Sequence, residues 1–320
     1  MIHFWKLIRP VNLIIIAATM YGLGAYFDLL LGKSGYPSTL FSFSFFLLVF
    51  STVAIAAAGN IINDYFDVRA DRVNRPERLI VGKHVKRRWA IFWHWLINAF
   101  AFVIAFYLSY KFKTFWYLFV HLLSINLLWF YSVQLKRTLV VGNVVIAFLT
   151  ALVPVLVGIY YNQYLNGGIL VSYYPFNFSS LDDYFIYSAL GFALFAFLFN
   201  WTREIIKDIE DIEGDRVLKA RTIPIVMGIK KAKWISLIML FIPIVLSNFL
   251  IYAYSKELII SISSFYPLFL AAIAVIIAFI LGIKANYPSA FRKTHLAIKF
   301  VMVLGLSLPL YWAFLIYFGS

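Results

Sequence analysis

The sequence predicts an all-α membrane protein, in which nine transmembrane helices form one bundle with a polar cavity facing the cytoplasm. Of the 320 residues, 63% are hydrophobic and only 13% are charged, whereas soluble domains have about 45–50% apolar and about 25% charged residues. The apolar residues form continuous runs rather than the alternating pattern of a membrane β-barrel. Each run approaches or exceeds the roughly 20 residues that a helix needs to cross a bilayer. These observations exclude soluble and disordered classes of protein.

Nine apolar stretches are long enough to be spans, and no segment between them is large enough for a soluble domain. The sequence therefore predicts one integral-membrane domain over residues 1–320. The first stretch is too long for a cleaved signal peptide, and it lacks a small-residue cleavage site. The predicted spans cover residues 11–31, 38–60, 89–109, 114–132, 139–161, 184–202, 233–254, 259–283 and 298–318.

The distribution of Lys and Arg predicts the orientation of these spans. Cytoplasmic loops of membrane proteins carry an excess of both residues. With the N-terminus in the cytoplasm, 24 of the 28 Lys and Arg residues fall on the cytoplasmic side. The same excess explains the net charge of +14 without a nucleic-acid partner, and no protein partner is indicated. We expect a prokaryotic inner-membrane protein with its N-terminus and active site in the cytoplasm and its C-terminus outside.

Ten of the fourteen carboxylates lie in two short windows, four from Asp64 to Glu77 and six from Glu204 to Asp215. Both windows contain the spacing D-x2-D-x3-D. On a helix these offsets fall within roughly 60°, so each set of three carboxylates is expected on one face. Four predicted spans separate the windows, which returns the chain to the same membrane side. We therefore expect both sets at one cytoplasmic cavity. The aspartates are Asp64, Asp67 and Asp71 in the first motif and Asp208, Asp211 and Asp215 in the second.

Carboxylates stacked on one helix face repel one another and need a cation between them. Hard oxygen ligands select Mg²⁺, Ca²⁺ or Mn²⁺, and Mg²⁺ is usually held by a few carboxylates together with substrate phosphates. The chain has no cysteine, and its five histidines are scattered. A zinc site is therefore not expected, and the sequence favours Mg²⁺.

Lys and Arg residues are interleaved with these acids, and neutralisation alone would explain any single one of them. Metal-binding acids with surplus cations at the mouth of an apolar bundle instead suit a lipid diphosphate. Lys and Arg would take the phosphate oxygens that the metal leaves, and the apolar tail would lie between helices. The candidate diphosphate contacts are Asn60, Asn63, Arg69, Arg75, Lys136 and Lys207.

Both motifs resemble those of the UbiA superfamily of intramembrane prenyltransferases. The family pattern N-D-x2-D-x3-D followed by N-R-P is matched by residues 63–71 and 74–76, and K-D-x2-D-x2-G-D by residues 207–215. The resemblance covers the whole chain, and Arg9-Pro10 and Tyr131-Ser132 are similar to further family features. The chain departs from the family after Arg78, where the second proline and the serine of a Ser-Gly pair are missing and the chain reads Val81-Gly82.

The resemblance implies Mg²⁺-dependent transfer of a prenyl group from a polyprenyl diphosphate donor to a lipophilic acceptor in the bilayer. The six aspartates would be the catalytic metal ligands, and Asn60 and Asn63 would orient them or add neutral oxygen ligands. Ionisation would leave an allylic cation, which the rings of Tyr65, Phe66 and Tyr131 are placed to stabilise.

The acceptor is less specified. Residues 8–12 and 131–136 resemble the branch that adds geranylgeranyl to geranylgeranylglyceryl phosphate in ether-lipid synthesis. The alternative is prenylation of an aromatic quinone precursor, dihydroxynaphthoate or 4-hydroxybenzoate, whereas the haem-farnesylating branch lacks support because its R-T-x2-R-P continuation is absent. Outside the family, a transporter would place ionisable residues near the bilayer midplane. A CDP-alcohol phosphotransferase would have Gly where Tyr65 follows Asp64.

Overall fold

The protein, described by a computed structural model over residues 2–74, 76–166, 181–247 and 266–318, is built from α-helices. Within these ranges the only β-pairing is an isolated bridge between Val81 and Val85. The predicted all-α class is confirmed. The helices are α1 (Ile2–Ile8), α2 (Pro10–Lys33), α3 (Phe43–Asn74), α4 (Arg87–Lys111), α5 (Trp116–Val133), α6 (Val141–Asn166), α7 (Leu181–Glu210), α8 (Ile212–Val217), α9 (Ile223–Met227), α10 (Ile229–Met239), α11 (Tyr266–Lys284), α12 (Phe291–Gly305) and α13 (Ser307–Phe318).

Eight stretches of the described residues are helical, long and apolar enough to cross a membrane, compared with the nine spans predicted. The seventh predicted span, 233–254, is not one continuous helix: α10 ends at Met239, helix resumes over 242–247, and residues 248–254 lie outside the described residues. Pro243 explains the break, because proline lacks an N–H and is tolerated in the first turn of a new helix. The count of nine therefore stays a prediction.

Helices α3 and α7 extend beyond the predicted spans and carry acidic residues with them. α3 begins after Ser42, whose hydroxyl accepts the backbone N–H of Phe45 at 3.2 Å as an N-cap. It then runs for 32 residues to Asn74, well past the predicted end at residue 60. α7 runs for 30 residues to Glu210, past the predicted end at residue 202. Each acidic motif therefore begins on a helix that is continuous with a membrane span.

The chain divides into two compact units, Met1–Leu135 with Ala151–Leu194, and Lys136–Thr150 with Phe195–Ser320. α6 and α7 each contribute one end to each unit. The first unit contains the first acidic motif, and the second unit contains the second. The prediction of one domain over the whole chain stays a prediction.

Aromatic side chains fill part of the core of the first unit. The Phe27 ring lies 4.8 Å from the Phe185 ring and 5.5 Å from the Tyr161 ring, measured between centroids. The Tyr161 hydroxyl donates to the carbonyl oxygen of Gly24 at 2.8 Å, so this buried polar atom is satisfied. These contacts hold α2, α6 and the start of α7 together.

Asp28, an acid outside both motifs, fixes the loop between α2 and α3. Its carboxylate accepts the backbone N–H groups of Thr39 at 2.7 Å and Leu40 at 3.1 Å. The side chain of Asp28 therefore has a structural use, because it satisfies loop donors that no helix bonds.

Apolar residues of α7, α10, α11 and α12 form the core of the second unit, which includes the fully buried residues Ile206, Leu237, Val275 and Ile298. Lys233 of α10 caps the end of α11, since its ammonium donates to the carbonyl oxygen of Ile283 at 2.7 Å. This core supports the face of α7 that precedes the second motif.

α6 and α7 are in close contact at Gly158, within the first unit. A Cβ atom at Gly158 would lie 2.5 Å from the Ala189 Cβ atom and 3.0 Å from the Phe185 carbonyl oxygen. The second contact is with backbone, which cannot rotate away. Small residues at such contacts allow membrane helices to pack closely.

We predict that Gly158→Ala lowers the free energy of unfolding by about 1–3 kcal/mol, because overpacking forces the two helices apart. Gly191→Ala on α7 is the matched control, since a Cβ atom there meets nothing within 4 Å, and the higher helix propensity of alanine should leave stability unchanged or raise it by up to about 1 kcal/mol. Denaturant unfolding of the purified protein in detergent measures both. Equal stability of the two variants would contradict this account of the helix contact.

Candidate active site

The junction between α1 and α2 directs Arg9 toward α3. Arg9 has a left-handed backbone, with φ of 56°, which is uncommon for any residue but glycine. Pro10 follows it and starts α2 with the fixed φ of proline. The Asn60 side chain donates to the Ile8 carbonyl oxygen at 2.9 Å. Asn60, a predicted diphosphate contact, thus anchors the chain immediately before Arg9.

The Arg9 guanidinium forms an ion pair with Asp64, the first aspartate of the first motif. The Arg9 side chain is 39% exposed; desolvation of its other part acts to lower the pKa of Arg9, but the charges of Asp64, Asp67 and Asp71 outweigh this effect and raise that pKa. The guanidinium therefore interacts with all three carboxylates of the motif. The sequence analysis noted Arg9-Pro10 but did not include Arg9 among the site residues.

The first motif lies on unbroken helix, so Asp64, Asp67 and Asp71 share one face of α3 as the spacing predicts. Asp67 is only 5% exposed, and one of its oxygens accepts from the Asn63 Nδ2 atom at 2.8 Å. The Asn63 Oδ1 atom is buried and, among the described residues, has no hydrogen-bond partner. Asn63 therefore orients Asp67 and also presents a neutral oxygen to a ligand.

Arg69 is exposed on the opposite side of α3. It follows Asp67 by two residues, which places it about 200° around the helix from that carboxylate. This phase sets Arg69 apart from the carboxylates, and its assignment as a diphosphate contact stays a prediction. Arg75, the other predicted arginine, lies outside the described residues.

The second motif is divided between two helices. Asp208 is on α7, which ends at Glu210. Asp211 lies just before α8 and has a non-helical ψ of 10°. Asp215 is buried on α8. Its predicted placement on one continuous helix is wrong at Asp211. Aspartate is a weak helix former and is favoured at helix starts, which accounts for the break.

Asn143 on α6 orients the first carboxylate of the second motif. Its Nδ2 atom donates to the Asp208 Oδ2 atom at 2.8 Å, and its side chain is only 5% exposed. Sequence reasoning missed this residue, because the contact joins positions 65 apart on different helices. The sequence feature that could have indicated it is that Asn143 is a polar residue near the start of an apolar span.

Lys136 lies in the turn Leu135–Arg137 between α5 and α6. The carbonyl oxygen of Arg137 accepts the backbone N–H of Arg221 at 2.8 Å, and the Ala220 N–H donates to the Asp215 carbonyl oxygen at 3.0 Å. These two bonds connect the turn that carries Lys136 to the chain that follows the second motif. The assignment of Lys136 as a diphosphate contact stays a prediction.

Lys207, the remaining predicted contact, precedes Asp208 on α7. Its ammonium lies 3.4 Å from an oxygen of Glu204, whose other oxygen accepts from Arg203 at 2.6 Å. Lys207 is therefore held by an acid one turn earlier on the same helix.

The aromatic residues beside the first motif also contact the protein itself. The Arg87 guanidinium carbon lies 4.4 Å from the centroid of the Tyr65 ring, a cation–π distance. The Phe66 ring lies 5.9 Å from the Trp129 ring. These contacts give Tyr65 and Phe66 a role in packing.

The donor set consists of carboxylate and amide oxygens. Within the described ranges, no three His, Asp or Glu side chains lie close enough to hold a metal ion by themselves. Carboxylate and amide oxygens are the ligands that Mg²⁺ prefers, and Mg²⁺ is typically bound by one or two carboxylates plus substrate phosphates. The buried oxygen of Asn63 supplies a further donor of the hard type that Mg²⁺ prefers.

Comparison with known proteins extends these observations to the whole chain. The model of the UbiA prenyltransferase family matches residues 18–304. Digeranylgeranylglyceryl phosphate synthase of Pyrococcus horikoshii is 35% identical over 77% of this chain and 76% of its own length. The enzyme of the same name from Pyrococcus furiosus is 33% identical over 76% of both chains.

Solved structures show the same architecture. A structure of digeranylgeranylglyceryl phosphate synthase matches with a TM-score of 0.64 and 24% identity over 97% of both chains. A UbiA homologue from Archaeoglobus fulgidus, bound to DMAPP and Mg²⁺, matches with a TM-score of 0.58 and 18% identity over 95% of this chain and 98% of that one. At these identities the likeness shows a shared fold, and the family model with the closer relatives shows kinship: this chain is an integral membrane protein that belongs to the UbiA prenyltransferase family.

Proposed function

We propose that this protein transfers a geranylgeranyl group from geranylgeranyl diphosphate to geranylgeranylglyceryl phosphate. The observation that carries the proposal is the ordered set of carboxylates on α3 and at the end of α7, in a chain whose family transfers prenyl groups. Relatives 33–35% identical over three quarters of the chain, named digeranylgeranylglyceryl phosphate synthase, support this acceptor.

Mg²⁺ is the cofactor that the donor set favours. Six aspartates would hold it together with the diphosphate, while Asn63 would add its neutral oxygen. When bound, the ion would stabilise negative charge on the leaving diphosphate. The proposed ligands are Asp64, Asp67, Asp71, Asp208, Asp211 and Asp215.

The protein's own cations would complete diphosphate binding. Arg9 uses part of its five-donor guanidinium on Asp64, which leaves N–H groups for phosphate oxygens. Lys136 and Lys207 would donate to the same headgroup. In the reaction the bond between prenyl carbon and diphosphate oxygen breaks and its electron pair leaves with the diphosphate. An ether bond then forms to the acceptor hydroxyl, which loses its proton.

The apolar bundle and its orientation serve this chemistry. Lipid-soluble donor and acceptor tails would lie among the apolar helices, which keep water from the allylic cation. The excess of Lys and Arg in alternate loops supports a cytoplasmic N-terminus, cytoplasmic acidic motifs and an outer C-terminus.

Radiolabelled geranylgeranyl diphosphate offered with three acceptors tests the proposed reaction. We expect the purified protein with Mg²⁺ to label geranylgeranylglyceryl phosphate and to leave dihydroxynaphthoate and 4-hydroxybenzoate unlabelled. Excess EDTA should abolish the product, and added Mg²⁺ should restore it. Labelling of an aromatic acceptor instead would establish the alternative branch, and product formation undiminished by EDTA would exclude the metal.

We predict that Asp67→Asn and Asp211→Asn each reduce kcat/KM by on the order of 100-fold or more, because each removes an anionic metal ligand while keeping side-chain size. Glu213→Gln is the control: Glu213 is exposed near the second motif and pairs only across the surface with Arg216, where such pairs contribute little. Activity retained in both aspartate variants would remove these residues from the site.

Arg9→Met should raise the KM for geranylgeranyl diphosphate by roughly tenfold, as expected for the loss of one charge-assisted hydrogen bond to the headgroup. Lys6→Met is the matched control, because Lys6 is an exposed cation one turn earlier on α1. The initial rate as a function of donor concentration measures both. If the two variants have the same KM, Arg9 acts only on Asp64 and not on the donor.

A further inference from the structure

A polar network within the second unit extends from the second motif back into the membrane-spanning part of α7. Its α7 members recur at intervals of three and four residues and therefore share one side of the helix. Ionisable residues inside membrane helices are rare, pair with one another and mark functional sites. The network comprises Asn200, Arg203, Glu204 and Lys207 of α7 and His295 of α12.

Glu204 is the centre of this network. Its side chain is 5% exposed, and each of its oxygens has a separate cation: Arg203 at 2.6 Å and Lys207 at 3.4 Å. The short contact with Arg203 holds the Glu204 carboxylate in one position. Breaking this buried ion pair would leave an unpaired charge, which is costly. The longer contact leaves the Lys207 ammonium held but 22% exposed.

Arg203 is itself held from three sides. Its Nε atom donates to the Asn200 Oδ1 atom at 3.2 Å, and its Nη1 atom donates to the His295 Nε2 atom at 3.2 Å. The Nδ1 atom of His295 in turn donates to Glu210 at 3.3 Å. Asn200 is fastened to α6, because its amide donates to the Thr150 hydroxyl at 2.9 Å. The guanidinium is thus set by α6, α7 and α12 together.

This arrangement pre-organises a side chain that is otherwise flexible. The lysine side chain has a flexible four-carbon stem, and fixing it in one conformation costs roughly 2 kcal/mol of rotamer entropy. Glu204 offsets part of that loss, because it restrains the Lys207 ammonium before substrate binds. Of the three ammonium donors, one is directed at Glu204, and the other two remain for phosphate oxygens.

We propose that Glu204 is a positioning residue, which Arg203 and His295 hold in place so that it presents the Lys207 ammonium, beside Asp208, to the prenyl diphosphate. This inference rests on the proposed function, since it takes Lys207 as a contact to the donor. Glu204 acts through Lys207 and does not itself touch the substrate.

A double-mutant cycle on Glu204 and Lys207 tests the proposal, with KM for geranylgeranyl diphosphate and kcat measured for every variant. Lys207→Met should raise KM roughly tenfold, through loss of a charge-assisted hydrogen bond. Glu204→Gln should raise KM about three- to tenfold and change kcat by less than about twofold, because orientation of the ammonium is lost but the reacting centre is intact. In the Lys207→Met background, Glu204→Gln should raise KM by less than about twofold further, because the effects of residues that act through one another are not additive.

Glu213→Gln is the control for loss of a carboxylate from an Arg pair, since Glu213 and Arg216 are both more than half exposed; its KM should equal that of the wild type. If Glu204→Gln does not fold, Arg203→Met with Glu204→Gln removes the buried pair as a unit. That double variant should fold and raise KM about three- to tenfold, as expected for Glu204→Gln alone.

The outcomes separate this inference from the proposed function. If wild-type protein gives no prenylated product, the proposed function fails. If Lys207→Met leaves KM unchanged while wild type is active, Lys207 is not a donor contact, and the positioning role fails with it. Suppose that Lys207→Met raises KM. If Glu204→Gln alone then leaves KM unchanged, or if it raises KM by the same factor with and without Lys207→Met, Glu204 has only a structural role and the inference is overturned.

Discussion

Negative charge carried into an apolar helix bundle must be matched by nearby donors, because an unpartnered carboxylate in such surroundings is strongly destabilising. The donors come from helices remote in sequence. Arg9, at the α1–α2 junction, pairs with Asp64, and Asn143 of α6 donates to Asp208. The packing of these helices within each unit is therefore tied to the acidic motifs. These two contacts therefore stabilise the packing of the helices and also order the carboxylates of the site.

The two motifs share one spacing but are supported differently. α3 runs unbroken through the first motif, whereas α7 stops and a new helix starts at Asp211 in the second. The residue four positions before the first aspartate is Asn60 in one case and Glu204 in the other. Asn60 anchors the chain before Arg9, while Glu204 holds two cations of its own helix. The two motifs therefore share the spacing of their carboxylates but differ in the contacts that support them.

Much of the fold follows from features that are local in sequence. Continuous apolar runs identify the spans, and helical phase places the aspartates of α3 on one face and Arg69 on another. Pro243 likewise indicates, from the sequence alone, a break in the seventh predicted span. The contacts of Asn143 and His295 are different, because they depend on which helices become neighbours. Spacing along one chain contains no information about such pairs.

The partners of Asp208, Glu204 and Asp28 indicate which of these three acids is available as a metal ligand. An amide donor such as Asn143 fixes the Asp208 oxygen without adding positive charge, so the carboxylate still attracts a divalent cation. Glu204 has a cation at each oxygen and would have to release both to become a metal ligand. Asp28 is bound by backbone N–H groups that need it to satisfy a loop. The ligand set of the second motif should therefore begin at Asp208, although an acid lies one turn earlier on α7.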